Sequence, residues 1–258
     1  MKNLHRENEM KKKVLLAALI FLTSFAARAE DITNPFYQPL KGKGFSQTTA
    51  EYTHTKYSGL RDHNSVDTGF YMEELQFGAT DRFTLIGALG NYSYGSGDKD
   101  DVVWGVGGMY AFSFENQPEL LVRAAVKYMQ YKGARRSIDF FAQVGYDAGA
   151  TFLPYAELRV ETPVGQGKDA NESVIGLRVA GYSMIKEIVG VRAGLDYTYN
   201  HEDGNDQSYR LFAEADYVLT PRMSVGGSVS YLLHDSYKWD AGIDSDSFSI
   251  GANLKIAF

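Results

Sequence analysis

Residues 102–114 have the sequence VVWGVGGMYAFSF, in which two kinds of side chain alternate. Val102, Trp104 and Val106 begin a set that continues at every second position to Phe114, and this set is almost entirely large and apolar. The residues between them are mostly glycine, alanine and serine. Because successive side chains of a strand point to opposite faces of a sheet, this period of two indicates a strand with two different faces.

The same alternation continues to the end of the chain at a steady spacing. Further segments have an apolar residue at every second position, and segments nearer the N-terminus alternate less regularly. Together they predict an all-β fold of about twelve strands. The regular segments are 120–128, 138–146, 152–160, 175–179, 189–199, 209–219, 223–233 and 248–258, and the less regular ones are 45–57, 67–79 and 83–95.

The connections between the predicted strands are of two kinds that alternate along the chain. Strands of ten or more residues, joined alternately by short turns and longer loops, are typical of a transmembrane up-and-down antiparallel β-barrel. A soluble β-sandwich also fits the alternation alone, but strand length and the asymmetry of the connections favour the barrel. The short turns occupy 80–82, 115–118, 148–151, 184–187 and 220–221, and the longer polar connections occupy 58–66, 96–101, 132–135, 164–171, 201–206 and 235–244.

The N-terminal residues differ from the rest of the chain. Lys11, Lys12 and Lys13 precede an apolar run that ends at Phe25, and the small residues of Ala27-Arg28-Ala29 follow it. This order is typical of a secretory signal peptide, whereas a membrane anchor needs about 20 apolar residues. We therefore predict a cleaved signal at 1–29, a periplasmic N-terminal leader at 30–44 and an outer-membrane barrel at 45–258. The leader either hangs in the periplasm or enters the lumen as a small plug.

The composition excludes several classes of function. The chain has 258 residues, no cysteine, and 26 Lys and Arg against 32 Asp and Glu. A protein without cysteine has no disulfide framework, thiolate metal site or cysteine nucleophile. The net charge of −6 argues against nucleic-acid binding. We find no metal-ligand spacing and expect no cofactor and no metal site.

Two features of the sequence resemble a known class of protein. The segment 248–258 has an apolar residue at every second position and ends in Phe258. It resembles the C-terminal strand by which bacterial outer-membrane barrels are recognised for assembly. The segments 77–83 and 218–223 resemble the periplasmic turns of porin-like outer-membrane proteins. The resemblance implies a location in the bacterial outer membrane of a Gram-negative cell, in contact with lipid, lipopolysaccharide and the barrel assembly machinery.

If the large apolar sets face lipid, polar residues in the alternate positions face the lumen. Folding the predicted hairpins about their connections sets Arg192 opposite Glu214, and Glu157 opposite Arg178. A short turn near residue 185 would also bring Arg178 beside Arg192, which predicts a belt of charges at mid-height. The candidate pore-lining residues are Arg123, Lys127, Asp139, Gln143, Glu157, Arg159, Arg178, Arg192, Asp196, Arg210, Glu214 and Asp216.

Aromatic residues fall near both ends of the predicted strands. Membrane barrels place tyrosine and tryptophan where hydrocarbon gives way to headgroups. The sequence therefore predicts two aromatic girdles. Those beside short turns are Tyr110, Phe112, Phe114, Tyr217 and Phe258, and those toward long loops are Trp104, Tyr128, Tyr197, Tyr199 and Tyr231.

The predicted lumen supports two interpretations. In the first, the charged belt lines a narrow, porin-like channel for passive passage of small hydrophilic solutes. In the second, opposite charges pair across a closed interior, and the barrel has a structural or surface-interaction role. Twelve strands fall between barrels filled by side chains and open pores. Acidic and basic positions nearly balance, so we expect weak ion selectivity, unlike the strongly basic lumens of twelve-stranded acidic-sugar porins of similar size.

An enzyme is a third and less favoured class, and we expect none. His54, His63, His201 and His234 would lie near the outer rim, where Asp235 and Ser236 follow His234. Acidic residues in the long loops could hold divalent cations that bridge lipopolysaccharide, although solvated loops are the simpler interpretation. Glu73 and Glu74 are adjacent within one predicted strand, so one of them faces lipid unless a β-bulge intervenes.

Overall fold

The computed structural model describes residues 31–58, 65–94, 101–131, 136–149, 151–164, 173–201, 206–236 and 244–258. The predicted signal peptide and most of the six long connections lie outside these residues. The described residues form twelve strands, as the alternation predicted. They are β1 (Gly44–Ser58), β2 (Ser65–Gly78), β3 (Phe83–Tyr94), β4 (Asp101–Phe112), β5 (Leu120–Tyr131), β6 (Arg136–Tyr146), β7 (Phe152–Pro163), β8 (Ser173–Ile185), β9 (Val189–His201), β10 (Asp206–Thr220), β11 (Met223–Ser236) and β12 (Asp244–Ala257).

The strands form one closed antiparallel barrel. Each strand pairs with its neighbours in the chain, and β1 pairs with β12 to close the sheet. Gly44 N donates to Phe258 O at 2.7 Å, and Phe258 N donates to Gly44 O at 2.9 Å. The all-β, up-and-down barrel predicted from the sequence is therefore confirmed. No helix among the described residues is long and apolar enough to cross a membrane.

The two faces of the wall have different chemistry. The outward positions expose large apolar side chains such as Leu89, Val106 and Val179, each of which keeps more than half of its surface accessible. Apolar surface of this extent around a closed sheet is typical of a barrel whose outer face meets lipid. The termini of the barrel and the short turns lie at one end, which we call the turn end. The opposite end, where the long connections begin, is the loop end.

The hairpin between β8 and β9 differs from its predicted register. Ile185 lies opposite Val189, so the hairpin centres on residue 187 and not on residue 185. Lys186 and Glu187 make the turn with φ values of 51° and 59°, and β8 continues to Ile185, inside the predicted turn 184–187. Arg178 therefore lies opposite Asp196, and the predicted placement of Arg178 beside Arg192 is wrong.

The adjacent glutamates of β2 are accommodated without a bulge, because β2 keeps continuous register with both β1 and β3. Glu74 points inward, where Lys127 Nζ donates to its Oε2 at 3.1 Å. Glu73 lies on the outer face, and the hydroxyls of Ser46 and Thr48 on β1 donate to its two carboxylate oxygens. Local hydroxyl donors therefore satisfy the carboxylate that the sequence left without an explanation.

We predict that removing these two donors destabilises the barrel. The double variant Ser46→Ala/Thr48→Val leaves the Glu73 carboxylate on the outer face without its donors, which costs about 1–3 kcal/mol. The measurement is urea unfolding in detergent. Adding Glu73→Leu to the double variant is expected to restore stability, because the unsatisfied group is then gone. Equal stability of the double variant and the natural protein would contradict this account.

Three clusters of apolar side chains lie on the inner wall. Inward side chains of β3 to β6 form two apolar clusters, one around Met109 and one around Val103 and Met129. A third cluster around Tyr155 and Tyr182 lies on β7 and β8. Charged side chains lie on the same inner wall, such as Lys127 on β5 and Glu157 on β7, and a further group extends from β8 around to β1.

Candidate functional site

Residues 31–39 enter the barrel at the turn end, and residues 40–43 are exposed. Ile32 and Thr33 are buried, with exposed fractions of 3% and 0%. The Tyr182 hydroxyl on β8 donates to Asp31 Oδ2 at 2.5 Å and lies 2.7 Å from Thr33 Oγ1. The segment therefore begins with a polar contact to the inner wall of the barrel.

Arg123 on β5 holds the middle of this segment. Its guanidinium donates to the carbonyl oxygen of Tyr37 at 3.0 Å and to that of Pro35. Its Nε donates to Gln143 Oε1 at 2.7 Å, which fixes the guanidinium against β6. The Arg123 guanidinium also lies 5.6 Å from the ring centroid of Phe36, within the range of a cation–π contact. Arg123, predicted to line a pore, therefore binds the N-terminal segment.

Two glycines of the wall leave space for the segment. A Cβ atom on Gly190 would lie 2.2 Å from Thr33 Oγ1, and one on Gly145 would lie 2.6 Å from the ring of Phe36. Such distances are too short for any other residue. Phe36 also makes an edge-to-face contact with Tyr155, with 6.2 Å between ring centroids. The wall and the segment are therefore complementary in shape.

Four charged side chains of β9, β10 and β12 form a buried network. Lys255 Nζ donates to Asp216 Oδ2 at 2.5 Å and lies 3.5 Å from Glu214 Oε1. Arg192 forms an ion pair with Glu214 and lies 3.5 Å from Asp216 Oδ2. The side chains of Asp216 and Lys255 are only 1% and 3% exposed. The predicted pairing of Arg192 with Glu214 is therefore present, and Lys255 completes the network.

A second ion pair joins β8 to β9. Arg178 donates from Nε to Asp196 Oδ1 at 2.6 Å and from Nη2 to Asp196 Oδ2 at 2.8 Å, which is a bidentate geometry. The Arg178 guanidinium lies 4.2 Å from the ring centroid of Phe212 on β10. Asp196 also lies opposite Arg210 in the register, but both of its oxygens accept hydrogen bonds from Arg178.

The remaining candidate pore-lining residues also lie on the inner face. Glu157 forms an ion pair with Arg159 and accepts a hydrogen bond from Gln143 Nε2 at 3.3 Å. Lys127 reaches across the lumen from β5 to Glu74 on β2. Asp139 accepts a hydrogen bond from Ser137 Oγ at 2.6 Å. Opposite charges therefore pair along much of the inner wall.

A cavity of about 270 Å³ opens in the lumen. Strands β1, β8, β9, β10, β11 and β12 contribute to its wall. Its lining combines the charged groups of Glu51, Arg178 and Arg210 with the hydroxyls of Thr49 and Ser249. The cavity is therefore polar, and it is flanked by the ion pairs described above.

Sequence reasoning missed several inward residues with important contacts. Tyr155 and Tyr182 occupy inward positions of β7 and β8 and bind the N-terminal segment. Thr53 and Ser249 face the lumen and connect β1 to β12 through a hydrogen bond of 2.7 Å. The alternation alone places these four residues inward, but only the charged residues and Gln143 were named as candidates.

The predicted girdle residues lie on the outer surface. Trp104 and Tyr128 pack together with 5.8 Å between ring centroids toward the loop end, and Tyr110 and Phe112 do so with 5.0 Å toward the turn end. Phe258 is 62% exposed. The positions of the other residues follow from the outward alternation: Phe114 and Tyr217 lie toward the turn end, and Tyr197, Tyr199 and Tyr231 lie toward the loop end.

Three of the histidines considered as catalytic candidates lie in described strands. His54 Nδ1 lies 2.6 Å from Asp67 Oδ1, to which the Tyr52 hydroxyl also donates at 2.8 Å, on the outer face. His201 and His234 stack near Tyr199 and Tyr209 respectively. His63 lies outside the described residues. Across the described ranges, no group of three or more His, Asp or Glu residues could hold a metal ion.

Solved structures share this architecture. No family model matches the chain, and no curated protein matches it. A COG4313 outer membrane channel from Pseudomonas putida F1 superposes with a TM-score of 0.68 at 12% sequence identity, over 87% of this chain and 98% of that chain. The NanC porin superposes with a TM-score of 0.51 at 12% identity, over 79% of this chain and 98% of its own.

A third solved structure, the KdgM porin, superposes with a TM-score of 0.52 at 8% identity, over 81% of this chain and 99% of its own. At sequence identities this low, the superpositions establish a shared fold alone. The closed twelve-stranded barrel and its apolar outer face agree with these structures. The chain has the fold of the porin-like β-barrels of the bacterial outer membrane.

Proposed function

We propose that the protein is a narrow outer-membrane channel for passive passage of small hydrophilic solutes. The observation that supports this function is the polar cavity of about 270 Å³ inside a closed barrel. Its charged and hydroxyl lining suits hydrated solutes, and charges at a constriction select what passes. The solved structures of similar fold are described as channels and porins, which favours a channel over an enzyme.

The pairing of charges supports weak ion selectivity. Arg178 is neutralised by Asp196, and Arg192 by Glu214. A solute in the lumen therefore meets mostly ion pairs and few fixed charges of one sign. We expect a reversal potential close to zero in a salt gradient, in contrast to a channel lined by charges of one sign.

A second candidate function has its own supporting observation. Residues 31–39 occupy the turn end of the lumen through contacts with Tyr182 and Arg123. A barrel held closed by this segment would be a non-conducting structural or surface-interaction protein. The two functions differ in whether the segment leaves a continuous path beside it.

The first experiment is a single-channel recording of the refolded protein without residues 1–29, in planar bilayers. A heat-modifiable shift in gel mobility verifies that the barrel is closed. Discrete openings with weak selectivity would support the channel. A folded barrel that stays silent would favour the structural function, and a chain that is soluble without detergent would contradict membrane insertion.

We predict that Arg192→Ala increases the single-channel conductance. The variant removes a bulky guanidinium from the inner wall and leaves Glu214 with Lys255 as its cationic neighbour. It also shifts the selectivity toward cations, because one fixed positive charge is lost. The measurement is conductance and reversal potential in a potassium chloride gradient. Lys43→Ala, at an exposed position outside the strands, is the control. Unchanged conductance would place Arg192 outside the ion path.

Location and partners follow from the same proposal. The exposed apolar outer face would contact the hydrocarbon of the outer membrane and its lipopolysaccharide. The barrel assembly machinery would recognise the C-terminal strand β12, which ends beside the exposed ring of Phe258. Export through the inner membrane would use the predicted signal peptide, which is cleaved after Ala29.

A further inference from the structure

One wall of the polar cavity contains a basic group that no carboxylate neutralises among the described residues. Arg210 Nη1 donates to Ser249 Oγ at 3.0 Å and to Ser230 Oγ at 3.2 Å. Asp196, the acidic residue opposite Arg210 in the register, is bound by Arg178. Arg210 therefore contributes a positive charge to the cavity. Its guanidinium donates hydrogen bonds to hydroxyl groups and forms no ion pair among the described residues.

The part of the lining contributed by β1 contains an acidic group in the matching situation. Glu51 on β1 lines the cavity, and its Oε1 accepts a hydrogen bond from Thr53 Oγ1 at 3.3 Å. No lysine, arginine or histidine within the described ranges forms an ion pair with Glu51. This contrasts with the inner-wall carboxylates of Glu74, Glu157 and Glu214, each of which pairs with a basic side chain.

A chain of hydrogen bonds links the Arg210 guanidinium to the Glu51 carboxylate. Arg210 donates to Ser249, whose hydroxyl lies 2.7 Å from that of Thr53, and Thr53 donates to Glu51. Ser249 therefore donates to Thr53, and the chain runs from the guanidinium to the carboxylate across β10, β12 and β1. Hydrogen bonds in such chains polarise and strengthen one another. Arg210 and Glu51 are therefore linked through two hydroxyl groups and not by a direct ion pair.

We propose that the cavity is a binding site for a small zwitterionic solute of the α-amino acid class. The inference rests on the proposed channel, because solutes would bind at this site as they pass through the lumen. The carboxylate of the solute pairs with Arg210 and its ammonium group pairs with Glu51. A zwitterion satisfies both charges at once, whereas a simple anion or cation leaves one of them unpaired.

The size and lining of the cavity agree with this class. A volume of about 270 Å³ lies just below the range of typical ligand pockets, which favours a solute smaller than a drug-sized ligand. The hydroxyls of Thr49 and Ser228 supply further polar contacts. The ring of Phe212 provides an apolar surface for a short side chain.

The test is equilibrium dialysis of radiolabelled L-alanine against the folded protein in detergent. Propionate carries only the carboxylate, propylammonium only the cation, and glycerol neither. We expect L-alanine to bind and to be displaced by other small zwitterions, and the three comparison solutes to compete at least about tenfold less well, since each lacks a charge-assisted hydrogen bond. Competition by glycerol as effective as that by unlabelled L-alanine would overturn the proposal.

Charge-removing variants give a second readout. Arg210→Gln and Glu51→Gln are each expected to weaken L-alanine binding about tenfold or more. In Glu51→Gln, propionate binding is expected to be retained or improved, because the unmatched carboxylate is gone. Lys56→Gln and Glu115→Gln remove charges from exposed positions and serve as matched controls. Equal losses in the control variants, or no loss in Arg210→Gln, would contradict the site.

The dialysis separates this inference from the proposed channel. Binding of L-alanine to a barrel that does not conduct would support the site and contradict the channel. A conducting barrel that binds no L-alanine would contradict the site and leave the channel intact. Glycine betaine is a zwitterion whose quaternary ammonium group has no N–H donors, so it distinguishes α-amino acids from quaternary ammonium zwitterions. Binding of glycine betaine as tight as that of L-alanine would overturn the assignment of the amino acid class.

Discussion

Deleting residues 31–40 is expected to raise the single-channel conductance severalfold. In the natural protein this segment fills the turn end of the lumen, where Ile32 and Thr33 are buried. Its contacts to Arg123 and Tyr182 are made by side chains of the inner wall, and the ladder of the barrel does not depend on them. The barrel should therefore close without the segment and leave a wider path for ions.

A matched variant separates obstruction from shortening. Replacing residues 31–40 with a glycine and serine sequence of equal length keeps the tether but removes the contacts of Asp31 and Phe36. It should conduct as the deletion does, with the heat-modifiable gel shift as the test of folding. A conductance equal to that of the natural protein in both variants would show that ions pass beside the segment. The single variant Arg123→Met should give an intermediate and noisier current, since one of two anchors is lost.

Replacing Lys255 with methionine is expected to reduce the free energy of unfolding by about 3–5 kcal/mol, the usual consequence of removing one partner from a buried ion pair. Lys255 Nζ and Asp216 Oδ2 lie 2.5 Å apart, and both side chains are almost inaccessible to water. In Lys255→Met, Asp216 retains only the longer contact with Arg192, which also pairs with Glu214. The measurement is the urea midpoint for loss of the folded gel band.

A double-mutant cycle tests the same pair. Lys255→Met/Asp216→Leu removes both charges and is expected to recover most of the stability, because the unpaired buried charge is then absent. Lys43→Met, at an exposed position, is the control and should change stability by no more than about 0.5 kcal/mol. If the single and double variants were equally unstable, packing and not charge would explain the effect of Lys255→Met.

Both predictions concern contacts that the sequence alone did not reveal. The role of Arg123 as an anchor of the N-terminal segment depends on where residues 35 and 37 lie, and those residues contact β5 across about 86 positions of chain. The sequence left two positions open for the leader. Only the closed barrel brings Tyr182, Tyr155 and Arg123 to face the same end of the lumen.

Local pairing was more predictable, because hairpins join neighbours in the chain. The register that sets Arg192 opposite Glu214 follows from strand alternation and the length of one connection. The same reasoning placed Arg178 wrongly, since the turn between β8 and β9 centres on residue 187 and uses two residues with positive φ. A shift of two residues in the centre of one turn moved the partner of Arg178 by four positions, from Arg192 to Asp196. It therefore replaced a predicted pair of like charges with the Arg178–Asp196 ion pair.

The sequence by itself determined the strand number, the antiparallel order and the face on which most of the named side chains lie. These depend on a period of two residues and on short connections, which are local properties of the chain. Only the tertiary structure decided the Lys127–Glu74 contact across the lumen, the three apolar clusters, and the chain from Arg210 to Glu51. Closure of the sheet brings together side chains from distant strands, and no periodicity along the chain specifies which of them will meet.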